Sequence, residues 1–252
     1  MKSKIIVLLV VMLSALAQAQ VERRDHAVSA TGLEVAFPDG FGCERIASPY
    51  ASSTRYDGSS RRGDRNGGLH GGIDLSLKVG TPLLAIADGE VITFGEGGRL
   101  EGIYLWLLHS PEDTGTPFHV FSKYQHLSAL PALKTGDRVK AGAVVAHSGA
   151  SGTVGRHYGV SGYAHLHLTT FYGPSAEYEV KGMFDSMVSG RDSRMDDPLV
   201  LYAQGLRDLA EVRQLPEPRR IVRPAVVGSD GAIHPPGGKT VWPVACKEPG
   251  AR

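Results

Sequence analysis

Residues 82–94 read Pro-Leu-Leu-Ala-Ile-Ala-Asp-Gly-Glu-Val-Ile-Thr-Phe, two short apolar runs on either side of Asp88-Gly89. Apolar runs of this length, cut by a turn dipeptide, predict strands, and Asp-Gly between them predicts a tight hairpin. The same texture continues in both directions. Ile103–His109 stops at Ser110-Pro111, and Phe118–His126, Ala143–His147 and Ala164–Phe171 follow between turn residues. The 32 glycines and 15 prolines among 252 residues fit many turns and few long helices. The expected fold is mainly β: a compact antiparallel β domain with one C-terminal helix and irregular extensions.

Outward from these runs the organisation changes. Residues 51–68 are polar and glycine-rich and read as a loop. Ahead of them, Leu33–Phe37 is one strand-like stretch in a lead-in segment. Behind the strands, Asp196-Asp197-Pro198 is a helix start, with an Asp cap and proline at the first position. Leu199, Tyr202, Leu206, Leu209 and Val212 then recur at helical spacing until Pro216 and Pro218 stop the pattern. The resulting division is a signal peptide over 1–19, a lead-in over 20–64, a domain over 65–195, and a helix with a Pro/Gly-rich tail over 196–252.

The signal peptide rests on Lys2 and Lys4, the apolar run Ile5–Leu16, and Ala17-Gln18-Ala19 as a small-residue cleavage site. The run is shorter than the roughly 20 residues that span a bilayer. Export to the periplasm or beyond, without stable membrane insertion, is therefore expected. Removing Lys2 and Lys4 from the 27 basic residues leaves 25 against 26 acidic ones, a balance that gives nucleic acid no basic surface. Cys43 and Cys246 are the two cysteines, and in an exported chain such a pair predicts a disulfide.

Chemistry concentrates in two places. His70-Gly-Gly-Ile-Asp74 sets an imidazole and a carboxylate four residues apart, on one face if the segment is extended. His165-Leu-His167 projects two imidazoles to one side and Leu166 to the other. A His, an Asp and another His form a donor set suited to zinc, and three protein ligands leave a fourth position open, as in catalytic sites. Gly67-Gly68 and Gly71-Gly72 allow backbone and substrate to come close to the first motif.

His70-Gly-Gly-Ile-Asp74-Leu, Gly80-Thr-Pro, Ala87-Asp-Gly-Glu-Val91, Tyr124-Gln-His126-Leu-Ser128, Thr135-Gly-Asp-Arg-Val139 and His165-Leu-His167 follow one another in the order seen in a known family. Over roughly residues 65–171 the chain resembles the lysostaphin/LytM-like zinc endopeptidases of peptidoglycan. The resemblance implies a β domain with a metal-containing groove and one Zn2+ per chain held by His70, Asp74 and His167. It also implies His126 and His165 as non-ligand histidines beside the open position. His165 is expected to be the general base, and His126 to donate a hydrogen bond to the oxyanion. The implied partner is peptidoglycan peptide, with the protein a monomer. A non-catalytic regulator of other wall hydrolases and a zinc endopeptidase of protein substrates are the alternatives. The segments Arg156–Tyr163 and Glu101–His119 are longer than the family pattern and are expected to border the groove.

The remaining candidates read more plainly. His109, His119 and His147 lie in or beside apolar runs and are expected to be structural. His157 could meet substrate, His26 and His234 lie in the extensions, and Tyr163 could line the groove. Asp197 is a helix cap, and Arg61, Arg62 and Arg65 are expected in a solvated loop.

Overall fold

The structure is a computed structural model and describes residues 28–153, 163–181 and 187–248. The expected signal peptide, His26, His157 and most of the 156–163 segment lie outside the described residues.

The expectation of a mainly β, antiparallel domain holds. The lead-in supplies β1 (Glu34–Val35) and β2 (Ile46–Ser48), and the domain continues with β3 (Ile73–Ser76), β4 (Pro82–Leu84), β5 (Gly89–Glu96) and β6 (Ile103–His109). Next come β7 (His119–Leu127), β8 (Arg138–Val139), β9 (Val144–His147) and β10 (His165–Gly173). The hairpin of β11 (Tyr178–Lys181) with β12 (Met187–Gly190) precedes β13 (Arg194–Asp196), and the tail carries β14 (Ile221–Val222), β15 (Val226–Val227) and β16 (Ile233–His234). The main sheet runs β2-β3-β10-β7-β6-β5-β8, antiparallel throughout, with β13 also paired to β10. Strand β10 therefore sits inside the sheet, with β3 on one side and β7 on the other, where a side chain has the least freedom to move.

Alternation sorts the sheet into two faces. Leu75, Leu105, Leu107, Tyr124, Leu166 and Leu168 point into the main core. Leu33, Tyr50, Val222, Trp242 and Cys246 join the same core, so lead-in and tail are packed parts of the domain and not loose additions. Cys43 and Cys246 are bonded across 203 residues and tie these two ends together.

Two expectations are corrected. Asp88-Gly89 does not turn a hairpin: β4 pairs with β9, whereas β5 pairs with β6 and β8. The intervening backbone is claimed from elsewhere, with Ala85 N–H bonded to Ala143 O and Ile86 N–H to the Tyr124 hydroxyl. Asp88 instead accepts from Ala141 N–H and Lys140. The C-terminal helix is also not continuous. Two 3-10 segments, Pro198–Tyr202 and Leu209–Gln214, are separated by extended backbone at Ala203 and a left-handed Gly205. The five apolar residues are all buried: 3-10 turns also bring i and i+3 together, at Leu199/Tyr202 and Leu209/Val212, and Leu206 is buried in the stretch between the two segments. Asp197 caps the first segment through Leu199 N–H, as expected. No helix among the described residues is long and apolar enough to cross a membrane.

Candidate metal centre

The registers bring the two sequence motifs side by side. Asp74 on β3 lies opposite His167 on β10. His70 precedes β3 instead of lying on it, so the same-strand reading of the His70/Asp74 pair does not hold. Its backbone bonds Ser52 O and Ala51 N–H, which anchors it to the 51–68 loop. The donor atoms of His70, Asp74 and His167 all lie within 4.8 Å of one another. His70 Nε2 is 3.1 Å from Asp74 Oδ1 and 3.0 Å from His167 Nδ1, and His167 Nδ1 is 2.8 Å from Asp74 Oδ1.

Hydrogen bonds behind the rings decide which nitrogens face inward. His70 Nδ1–H donates to Pro49 O at 2.9 Å, and a carbonyl can only accept, so Nε2 of the neutral ring is a lone pair. His167 Nε2 is 2.9 Å from the Thr169 hydroxyl, which can accept its proton and leave Nδ1 as the lone pair. Three electron-rich atoms then converge at about hydrogen-bond distance with no proton between them. Such a cradle fits a cation. Two imidazole nitrogens and a carboxylate oxygen, each supported from behind, match the donor set and outer shell that a transition-metal ion requires. Burial pushes His167 down to about 4, against the pull of Asp74, which keeps the ring neutral.

Glycine at 72 serves this packing. A Cβ there would stand 2.3 Å from Leu168 O and 3.0 Å from His167 Nε2. The expected close backbone approach is thus realised, and the backbone concerned is that of β10. Arg61 also departs from expectation. It is largely buried, and Nη2 reaches Asp74 Oδ2 at 3.3 Å and Ser48 Oγ at 3.2 Å. Its polar surroundings (Ser59-Ser60-Arg61-Arg62-Gly63) carry no apolar pattern that could have signalled burial.

The other two histidines stand beside the cradle. His165 Nε2 is 3.7 Å from Asp74 Oδ1, while Nδ1–H donates to Tyr163 O at 2.9 Å. Tyr163 stacks on His165 at 4.3 Å between ring centroids. His126 lies 4.6 Å from the His165 ring and 5.9 Å from His167. Burial lowers both, and for His126 the neighbouring His165 and His167 add to the effect.

The position of His126 is unexpected from strand alternation. Tyr124 faces the core and Gln125 lies opposite His167, so His126 would turn coreward again. Instead Ile103 pairs with Leu127 and Tyr104 with Gln125, leaving His126 as the extra residue of a β-bulge at φ 64°. The bulge turns its ring towards His165 and His167. His109, by contrast, is a satisfied core residue, bonded to Asp88 O at 2.7 Å and the Ser122 hydroxyl at 2.8 Å. His119 pairs with Gly173 at the far end of the β7–β10 ladder, and His147 is exposed on β9, opposite Pro82.

Comparison with known proteins points to one family. Peptidase family M23 matches residues 68–176. That stretch is a peptidase family M23 domain. The glycyl-glycine endopeptidase ALE-1 of Staphylococcus capitis is 39% identical over 87 residues, 34% of this chain and 22% of that protein. Lysostaphin of Staphylococcus simulans is 36% identical over 87 residues, 34% of this chain and 16% of that protein. The chain thus spans about a fifth of the length of these curated relatives. Among solved structures, LytU is 25% identical with a TM-score of 0.43, covering 70% of this chain and 96% of that one. The lysostaphin catalytic domain from Staphylococcus simulans is 24% identical with a TM-score of 0.35, covering 61% and 86%. The M23 domain contains all five residues of the cradle and its flanking histidines.

Proposed function

We propose that the protein is a secreted zinc-dependent endopeptidase that hydrolyses peptide bonds in peptidoglycan stem peptides or cross-links. The observation that carries this reading is the convergence of His70 Nε2, Asp74 Oδ1 and His167 Nδ1 at 2.8–3.1 Å beside two further imidazoles. These three residues would hold one zinc ion, which supplies Lewis acidity and a lowered pKa for water at the open position. One relative is named a glycyl-glycine endopeptidase, which supports the reaction class and suggests glycine-containing cross-bridges as a substrate class. Export is supported by the segment Lys2–Ala19 and by a disulfide, which persists in oxidising compartments.

This chain's own residues move the protons. His165 and His126 each give Nδ1–H to a carbonyl, so each neutral ring offers Nε2 to accept a proton. His165 is assigned as general base, because Asp74 beside its Nε2 stabilises the charged ring. The proton then passes from Nε2 to the leaving amine. His126 hydrogen-bonds the developing oxyanion from Nε2 as the doubly protonated ring, its second proton taken from solvent as negative charge builds up beside it. Arg61 keeps Asp74 oriented throughout.

Digestion of purified wall, with mass spectrometry of the released fragments and metal analysis of the protein, tests the proposal. Peptide fragments with new amino termini and about one zinc per chain are expected. Intact wall after incubation with fully zinc-loaded protein would sink the hydrolase reading and leave a binding or regulatory role.

A further inference from the structure

We propose that Ser151 is a positioning residue for the reaction, fixing His126 so that Nε2 is the atom turned to the metal-facing side. The inference rests on the proposed function above for its kinetic consequence and on independent geometry for its structural one. His126 is a non-glycine residue in left-handed backbone, at the extra position of a bulge. Such a residue holds that conformation only where its surroundings fix it. Two atoms of Ser151 supply the constraint.

The Ser151 carbonyl accepts His126 Nδ1–H at 2.7 Å, which sets the tautomer. The Ser151 hydroxyl accepts Ile103 N–H at 2.9 Å and donates to Leu127 O at 2.7 Å. Ile103 and Leu127 are the paired residues that flank the bulge. One hydroxyl thus bridges the two strands where the bulge opens the ladder, while the carbonyl of the same residue holds the ring that the bulge displaces. A small change at this serine therefore moves the bulge and the imidazole together.

The turn carrying Gly102 presses on Ser151 from outside. A Cβ at Gly102, whose φ is 64°, would stand 2.1 Å from Ser151 O, and one at Gly152 would stand 2.2 Å from Gly102 N. Backbone is packed on backbone here, so Ser151 cannot drift towards the turn. Glu101 and Lys123 form a buried ion pair that fastens the same turn to β7. No atom of Ser151 is assigned to metal or substrate; it acts through His126.

Substitutions Ser151→Ala, Ser151→Thr and Gly102→Ala in the zinc-loaded full chain test this, with ring 15N shifts of His126 read by NMR. Ser151→Ala keeps the carbonyl and loses the bridge. Its kcat is expected to fall about tenfold with KM and zinc content unchanged, and the His126 15N shifts to move towards a mixture of tautomers. Ser151→Thr retains the hydroxyl and should restore both. Gly102→Ala is expected to act in the same sense and more strongly; should it fail to fold, Ser151→Ala alone decides. A Ser151→Ala protein with unchanged kcat and an unchanged Nδ1–H tautomer overturns the proposal. The NMR measurement needs no turnover, so absence of hydrolysis in the unsubstituted protein would count against the proposed function while leaving the role of Ser151 decidable.

Discussion

Arg61 forms an ion pair at 3.3 Å with Asp74, through the carboxylate oxygen other than the one in contact with His70 and His167. The guanidinium thereby occupies Oδ2 and reserves Oδ1 for the cradle. Outer-shell partners of this kind typically change metal affinity about 10–100-fold. Arg61→Met is expected to weaken zinc binding within that range, and Arg61→Lys to recover part of it. Competition against a chromophoric chelator measures this; equal affinity in the substituted and unsubstituted proteins would remove Arg61 from the site.

The cradle and the flanking rings should separate cleanly by substitution. His70→Ala and Asp74→Ala are expected to lose both zinc and hydrolysis. His126→Ala should keep zinc and lose about a hundredfold or more in rate. Metal analysis of the purified proteins checks the distinction, and full zinc occupancy in both ligand variants would show the wrong donors had been chosen.

His109 predicts a pH dependence of stability. Burial pushes it down to about 4, and its two ring nitrogens are engaged by Asp88 O and Ser122. Asp113, Arg138 and Asp88 are the charged groups that act on it. In the unfolded chain it takes up a proton near pH 6.5, in the folded chain near 4. The contribution is therefore fully present above pH 6.5 and falls progressively below it, by up to about 3 kcal/mol as pH approaches 4. Urea midpoints for the protein and its His109→Gln variant between pH 4 and 7 should converge at low pH; parallel curves would contradict this.

The Cys43–Cys246 bond closes a loop spanning 203 residues. Chain-entropy reasoning gives such a closure about 5 kcal/mol, and removal of native disulfides commonly costs 2–5 kcal/mol. A Cys43→Ser/Cys246→Ser protein is expected to melt well below the oxidised one, without loss of zinc. An unchanged melting temperature would mean that packing of Trp242 and its neighbours already holds the ends together.

Much of this architecture is legible in the residues themselves. The strand runs Ile103–His109, Phe118–His126, Ala143–His147 and Ala164–Phe171 recur with ends shifted by at most two residues. The His165/His167 pair follows directly from alternation on β10. What alternation cannot reveal is where it breaks. His126 reaches the site through a bulge stabilised by Ser151, 25 residues away, and no local signal at His126 marks it. Asp88-Gly89 has the composition of a hairpin, but its neighbours are bonded by distant strands that a local reading does not include. Arg61 lies in a polar loop, and only the fold reveals that the loop turns back onto Asp74.

Three imidazoles at the site, those of His70, His126 and His165, lean on peptide oxygens from residues 49, 151 and 163. A peptide oxygen persists whatever side chain hangs from it. The orientation of each ring is thus independent of residue identity at Pro49 and Tyr163, provided the backbone path is kept. Tyr163, which stacks on His165, is then free to vary in shape and chemistry without inverting the nitrogen presented beneath it. Residue 163 can thus be exchanged while the imidazole it covers keeps the same nitrogen forward.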